Sequence, residues 1–309
     1  MRPFGARARE RGSIALTYME AAVLNPLAPS PHGMWSGQDV RVRRRLGPHR
    51  PHGDREAICT RRFCVQRRGR VVTVEHDLTP DELCDELAVM LADQLVDTGA
   101  LRGQLEFEMV FTGIVRSTID GGLAAWLRFY RNSMEKLEGG TTAFAPIHAW
   151  AASLVRGHRL VDLGSCFGFF PLRMARHGID VTATDLNAST MRLLEQVSGR
   201  LRRPVTTLAC DAADVPLPDR SADTVTALHL IEHLPAEVAD AVLDEALRLA
   251  RRRVVIAVPF EDEPQECYGH LRTYDLPALR RMADGLCARH PGVRAGVYEL
   301  HGGWLVLDR

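Results

Sequence analysis

At 309 residues the chain is long enough to bury a full core, as one large domain or two small ones. With 46% hydrophobic and 25% charged residues it has the balance of a soluble globular protein, not of a disordered or fibrous one. Lys and Arg number 39 and so do Asp and Glu, so the charge balance implies no global attraction to nucleic acid or to a membrane surface.

Residues 1–54 are rich in Arg, Pro, Gly and His, with the densest charge run at Arg41, Arg43, Arg44 and Arg45, and are expected to form a flexible extension. Met34 offers a second translation start. A mildly apolar stretch from Ile14 to Leu27 is interrupted by Glu20 and lacks a cleavage site, so no signal peptide is expected. No apolar run reaches the roughly 18 residues of a membrane span. Cysteines at 59, 64, 84, 166, 210, 267 and 287 are scattered, with no second pair to complete a zinc site. They are expected to be reduced thiols of a cytoplasmic protein.

Residues 60–78 read as a hairpin, with Arg61–Val65 and Val71–Val74 on either side of a turn at Arg68-Gly69. Thr79 and Pro80 form an N-cap and first helical position, and Leu83, Leu87, Met90, Leu91 and Leu95 continue at helical spacing. A second helix is expected over Gly122–Leu137, broken by Gly139-Gly140, and a third over Pro146–Val155. Residues 55–140 are expected to act as a lid or acceptor platform for a nucleotide-binding domain over 141–309.

From His158 onward strands and helices alternate, which predicts a parallel sheet. Strands are expected at 159–163, 179–184, 205–209, 223–228 and 253–258, with helices starting near 168, 188, 235 and 275. A last pair of strands covers Val293–Leu300 and Trp304–Asp308, joined by Gly302-Gly303. Ligands of such sheets bind beyond the carboxyl ends of the strands, where Asp162, Asp185, Asp211 and His229 should converge.

The most informative stretch is Val161-Asp162-Leu163-Gly164-Ser165-Cys166-Phe167-Gly168. A buried strand stops at glycine, turns and reopens as a helix, as in the first unit of a nucleotide-binding α/β domain. Asp185 lies 21 positions after Gly164, close to the roughly 20-residue offset of a carboxylate on a ribose diol. No third glycine stands in register and no Lys or Arg follows to neutralise a pyrophosphate. The ligand should therefore carry a ribose and no phosphates. A glycine turn with ordinary acidic caps would look similar at one position, but three spaced matches weigh against that.

Beyond the fourth strand, Leu228-His229-Leu230-Ile231-Glu232-His233 matches the His-x-x-Glu-His pattern of inverted zinc peptidases. Its place at a strand-to-helix turn in a nucleotide-binding sheet argues against that enzyme. On a helix, His229, Glu232 and His233 would share one face, as a metal site needs. Equally, Glu232 and His233 could shape the pocket floor. The loop after the fifth strand carries Glu261-Asp262-Glu263 and Tyr268-Gly269-His270. Acidic and aromatic groups at the ligand end suit a hydroxyl-rich acceptor such as a sugar, and a solvated loop would look the same. His270, His233 and Glu261 are the candidate proton acceptors, His270 foremost because histidine titrates near neutral pH.

The donor turn, with Asp185 and Asp211, resembles motif I and the following acidic positions of class I S-adenosylmethionine-dependent methyltransferases, with Cys166 at the usual middle glycine. That resemblance implies an α/β Rossmann-like fold, a mostly parallel seven-stranded sheet with an antiparallel C-terminal strand, preceded here by an α+β extension. It implies S-adenosylmethionine as cofactor. Asp162, Gly164, Ser165, Cys166 and Gly168 would surround the methionine part, Asp185 and Leu186 the ribose, Asp211 and Ala212 the adenine, with His229 at the edge of the site. Quinone-biosynthetic O-methyltransferases carry a Glu-x-x-Glu-His pattern at the position of His229, Glu232 and His233. By that likeness these three would hold a divalent cation such as Mg²⁺. A closer resemblance, to the mycofactocin oligosaccharide methyltransferase family, rests on Asp162–Arg173, His229–His233, Ala257–Pro264, Tyr268–Arg272 and His301–Arg309. Val115–Thr118 and Ala125–Ser133 extend it towards the N-terminus. It implies O-methylation of a glucose in a glycosylated, peptide-derived cofactor. Other acceptors, a quinone precursor or a lipid, stay open, as does a non-catalytic S-adenosylmethionine-binding module. Nucleic acid is disfavoured by the acidic loop.

Overall fold

The computed structural model describes residues 26–28, 30–47 and 57–309. Val40 and Val42 alternate with Arg41 and Arg43, a period of two that buries both valines and turns the arginines outward. They form a strand. Met34–Gly37 (β1), Val40–Arg44 (β2), Ile58–Cys59 (β3), Phe63–Arg68 (β4) and Val71–His76 (β5) make a small sheet in the order β1-β2-β5-β4-β3. The flexible extension expected up to residue 54 is thus corrected for residues 34–44. Here β2 pairs in parallel with β5, Arg43 pairs with Glu75, and Arg44 Nε donates to the Leu78 carbonyl at 2.9 Å. The rest of that expectation, residues 1–25 and 48–54, lies outside the described residues. The register of β3 on β4 sets Cys59 opposite Cys64, and the two form a disulfide. The expectation of reduced thiols is corrected at this pair.

Past β5 the expected single helix is interrupted. Thr79 starts a short 3-10 turn, Pro80–Glu82, with a capping box to Glu82. Asn132 Nδ2 then donates to the carbonyls of Pro80 (2.9 Å) and Leu83 (2.8 Å), and Ser133 Oγ accepts from the Asp85 amide at 2.9 Å. Those distant partners satisfy the backbone groups that a continuous helix would have used. The helix resumes as Leu87–Leu91 (α1) and widens into a π turn at Ala92–Val96. Three helices come next: Gly103–Thr118 (α2), Gly122–Gly139 (α3) and Ala145–Leu154 (α4).

The large sheet comprises Arg159–Leu163 (β6), Asp180–Asp185 (β7), Thr206–Ala209 (β8), Ala222–Leu228 (β9), Ala250–Val258 (β10), Arg294–Glu299 (β11) and Gly303–Asp308 (β12). Its helices are Phe169–Arg176 (α5), Ala188–Leu201 (α6), Ala236–Leu249 (α7) and Leu276–Arg289 (α8). The order is β11-β12-β10-β9-β6-β7-β8, parallel from β10 to β8, with β12 antiparallel to both β10 and β11. This is the expected seven-stranded arrangement. The chain winds outward from β6 in one direction and from β9 in the other, so the switch point, where such sheets bind ligands, lies between these two strands. One face of the sheet buries α7 and α8 against Val161, Val225, Ile256 and Leu305. The other face shares one apolar core with the N-terminal half: Val255, Ala257 and Trp304 pack in the same cluster as Val42, Val110, Ile114, Trp126 and Phe129.

Candidate active site

The turn leaving β6 has backbone geometry that fixes its residue types. Gly164 has φ +66° and a Cβ there would lie 2.5 Å from Leu230 Cδ1; Gly168 has φ +70° and its Cβ would lie 2.4 Å from Leu194 Cδ2. At both, a side chain would be strained by the left-handed backbone and would crowd a leucine. Between them Cys166 takes φ +48°, a left-handed conformation uncommon for a residue other than glycine, asparagine or aspartate. The turn is held by Ser165 N donating to the Thr184 carbonyl (2.8 Å) and Cys166 N donating to Asp185 Oδ2 (2.9 Å).

Asp162 is buried at the end of β6 and accepts from Ser165 Oγ at 2.7 Å and from Thr226 Oγ1. Burial pushes its carboxyl up to about 6, against the pull of those two hydroxyls. Asp185, at the end of β7, receives Cys166 N and Asn187 N (2.8 Å) on its two oxygens. Burial raises this carboxyl too, and the two amides and nearby His233 offset part of the rise. Each oxygen keeps acceptor capacity for a further donor. Asp211 follows β8, and its Oδ1 accepts from Ala213 N at 2.9 Å. Leu186, 64% exposed, and Ala212 flank these carboxylates. Cys166 is accessible to solvent, and its thiol is pushed up by desolvation and by the Asp185 carboxylate beside it.

On the other side of the switch point the chain leaves β9 through His229 (φ +55°), whose amide donates to the Ala257 carbonyl at 2.9 Å. Its ring meets Phe144 edge-on, with centroids 5.4 Å apart. A tight 3-10 turn, Ile231–His233, comes next. At this 3-10 turn His229 Nδ1 stands 3.3 Å from Glu232 Oε1, but the expected set of His229, Glu232 and His233 is not the one whose ligand atoms gather at one point. The side chains whose ligand atoms lie within 4.8 Å of one another are Glu232, His233 and His270. The loop after β10 brings His270 in. Leu271 N and Arg272 N donate to the Glu232 carbonyl at 2.8 and 3.2 Å, stitching that loop to the turn after β9. His270 Nδ1 lies 2.8 Å from Glu261 Oε2, His233 Nδ1 donates to the Gly269 carbonyl at 3.2 Å, and the two imidazole centroids are 4.7 Å apart. The three candidate proton acceptors thus meet in one corner, with His233 on the side of Asp185.

Two further residues come from α2. Gln104 Nε2 donates to Glu108 Oε1 at 2.7 Å, and Gly269 (φ +79°) approaches Gln104 so closely that a Cβ would lie 2.5 Å from Oε1. Glu108 lies close enough to Cys166 to help raise its thiol, and burial raises the Glu108 carboxyl in turn. The spacing of Gln104 and Glu108, one helical turn apart, was a usable signal once a helix is placed there. Phe167, in the donor turn, packs against Phe111, Trp126, Phe129, Tyr130 and Phe169 at centroid distances of 5.4–6.2 Å. The turn is seated on the N-terminal helices.

Residues 161–258, from β6 to the end of β10, match the family model for a methyltransferase domain. The chain carries a methyltransferase domain. It contains the donor turn, all three strand-end carboxylates and the Glu232-His233 turn. No curated protein matches the sequence. In fold the chain is similar to a SAM-dependent methyltransferase from Aquifex aeolicus, at 18% identity over 56% of this chain and 91% of that one, with a TM-score of 0.43. It is also similar to magnesium protoporphyrin IX methyltransferase from Synechocystis PCC 6803 with bound SAM, at 18% identity over 72% of this chain and 96% of that one, with a TM-score of 0.42. The matched domain, on a class I α/β sheet, supports S-adenosylmethionine-dependent methyltransferase activity. Among the described residues no helix is long and apolar enough to cross a membrane.

Proposed function

We propose that this chain is a cytoplasmic S-adenosylmethionine-dependent O-methyltransferase of a hydroxyl-rich acceptor, by its sequence resemblance a glucose of the mycofactocin oligosaccharide. The observation that carries the reading is the His233, His270 and Glu261 corner beside the ribose carboxylate Asp185. The donor's sulfonium already activates the methyl group, so the protein's tasks are to align oxygen, carbon and sulfur and to handle the hydroxyl proton. Asp162, Gly164, Ser165, Cys166 and Gly168 would cradle the methionine part; Asp185 and Leu186 would bind the ribose, and Asp211 and Ala212 the adenine. His229 would close the edge of the donor site. As the acceptor oxygen attacks, the O–C bond forms, the C–S bond breaks with its electron pair going to sulfur, and the hydroxyl proton leaves through the histidine corner. Residues 55–140 would serve as the acceptor platform, through the Gln104 and Glu108 polar pair on α2, with the donor set in 141–309.

Mass spectrometry of the mycofactocin oligosaccharide pool tests the acceptor, in cells with the gene, without it, and complemented by Asp185→Ala. The glycan should lose one methyl in the deletion and stay unmethylated with the variant. In vitro, Asp185→Ala should weaken donor binding about ten- to hundredfold by calorimetry, since hydrogen bonds to a charged group are at stake. An unchanged glycan in the deletion would remove the sugar acceptor, and unchanged donor affinity would remove Asp185 from the site.

A further inference from the structure

Glu232 is a carboxylate that the protein buries and does not satisfy. Its side chain is 0% exposed, and neither oxygen has a hydrogen-bond partner. The nearest cationic candidate, His229 Nδ1, stands 3.3 Å from Oε1 outside hydrogen-bonding geometry. A buried carboxylate without a partner is costly, so such groups are paired or bind a metal. Two imidazoles face it. Both have Nδ1 committed outward, His233 to the Gly269 carbonyl and His270 to the Glu261 carboxylate. An acceptor at Nδ1 holds the proton there and leaves Nε2 as a bare lone pair. A carboxylate or backbone carbonyl behind a histidine is also the usual outer support of a metal-binding imidazole. The three ligand atoms lie within 4.8 Å of one another, a span that a small side-chain adjustment closes onto one ion at bond lengths of about 2.0–2.2 Å.

From this geometry we infer that Glu232, His233 and His270, backed by Glu261 and the Gly269 carbonyl, form a binding site for a divalent first-row transition-metal ion. Two nitrogens and one carboxylate suit Mn²⁺, Fe²⁺, Co²⁺ or Zn²⁺ and disfavour Mg²⁺, which prefers oxygen ligands and keeps its waters. The ligands come from two elements, the turn after β9 and the loop after β10. The ion would therefore pin the acceptor loop as well as supply a positive charge that acidifies an acceptor hydroxyl. That last role rests on the proposed O-methyl transfer, and with both imidazoles bound to the ion the hydroxyl proton would pass to solvent and not to the histidines; the existence of the site does not rest on it.

The test uses the full chain, stripped with a chelator, dialysed and titrated with Co²⁺, Mn²⁺, Zn²⁺ and Mg²⁺, following calorimetry and the visible Co²⁺ spectrum. One equivalent of Co²⁺ should bind with a nitrogen-ligated spectrum, Mg²⁺ at least tenfold more weakly. Glu232→Gln, His233→Ala and His270→Ala should each lower Co²⁺ affinity by tenfold or more. Glu261→Gln should lower it about tenfold through the lost support of His270. His229→Ala should leave it within a few fold. Far-ultraviolet circular dichroism and a cooperative thermal transition like that of wild type confirm that each variant is folded. The proposal is overturned if the folded wild type binds none of the transition metals. It is equally overturned if His270→Ala binds as tightly as wild type, or if His229→Ala loses as much as His270→Ala. Methyl transfer by a wild type that binds no ion would sink the metal site and leave the O-methyltransferase reading standing.

Discussion

Asp162 combines full burial with two hydroxyl donors, and this makes it a reporter of pH. Its folded-state carboxyl titrates near 6, above the ordinary value of 3.8. Between those values the native state holds a proton that the unfolded chain has lost. Stability therefore falls as pH rises from about 4 to about 6 and is level above that. The isosteric Asp162→Asn keeps an acceptor for Thr226 and carries no such penalty. In the absence of donor, its stability relative to wild type should increase between pH 4.5 and 7 by on the order of 2 kcal/mol. Urea unfolding at the two pH values measures this, and a difference that stays constant would show that Asp162 does not titrate in the window. The donor carboxylates were legible because each stands within two residues of the carboxyl end of a recognisable β pattern. His270 was legible only as a histidine in a polar loop; its position against His233 depends on amides from residues 271 and 272 reaching the Glu232 carbonyl. No spacing within 229–233 could have revealed that.

At the scale of elements, the donor turn depends on a neighbour far away in sequence. Phe167 inserts among aromatic rings of α2, α3 and α5. Phe167→Ala should cost about 2–3 kcal/mol of stability, somewhat below the value for a fully buried phenylalanine, since Phe167 is only partly buried. Donor affinity should fall with it, because the turn loses its seat. Chemical denaturation and calorimetry read the two effects, and a neutral result in both would deny the seat any role. The alternating strands and helices after His158 could be read from periodicity because each helix has one buried face. By contrast α2 was invisible to that test. From Phe107 to Thr118 all but one of its residues are buried, so there is no polar stripe to set a period. The broken helix after Thr79 escaped for the opposite reason: the local signals were good, and the groups that override them, Asn132 and Ser133, lie on α3.

For the whole molecule, the decisive feature is that one apolar cluster runs from β2 through α2 and α3 to β10 and β12. The chain should unfold in a single cooperative transition by calorimetry and by tryptophan fluorescence together. A protein beginning at residue 141 would leave Val255, Ala257 and Trp304 without their partners. It should be insoluble, or compact without fixed packing. Two separate transitions, or a soluble 141–309 fragment with a sharp thermal transition, would show that the halves are independent. Sequence composition suggested an appendage ahead of a catalytic domain because the arginine-rich edge of β2 hides its buried valines.

The shared core also bears on inheritance. In enzymes whose recognition module is joined by a linker, evolution can exchange the module and keep the catalyst. Here a lineage that acquired a different front half would also have to rebuild the face of the sheet it rests on and refit Phe167, whose aromatic pocket lies mostly on α2 and α3. New acceptors should therefore arise by point changes along α2 and the loop after β10, not by recombination near residue 140. A chimera that grafts residues 26–140 onto another methyltransferase should fold only when α5 and α6 travel with them.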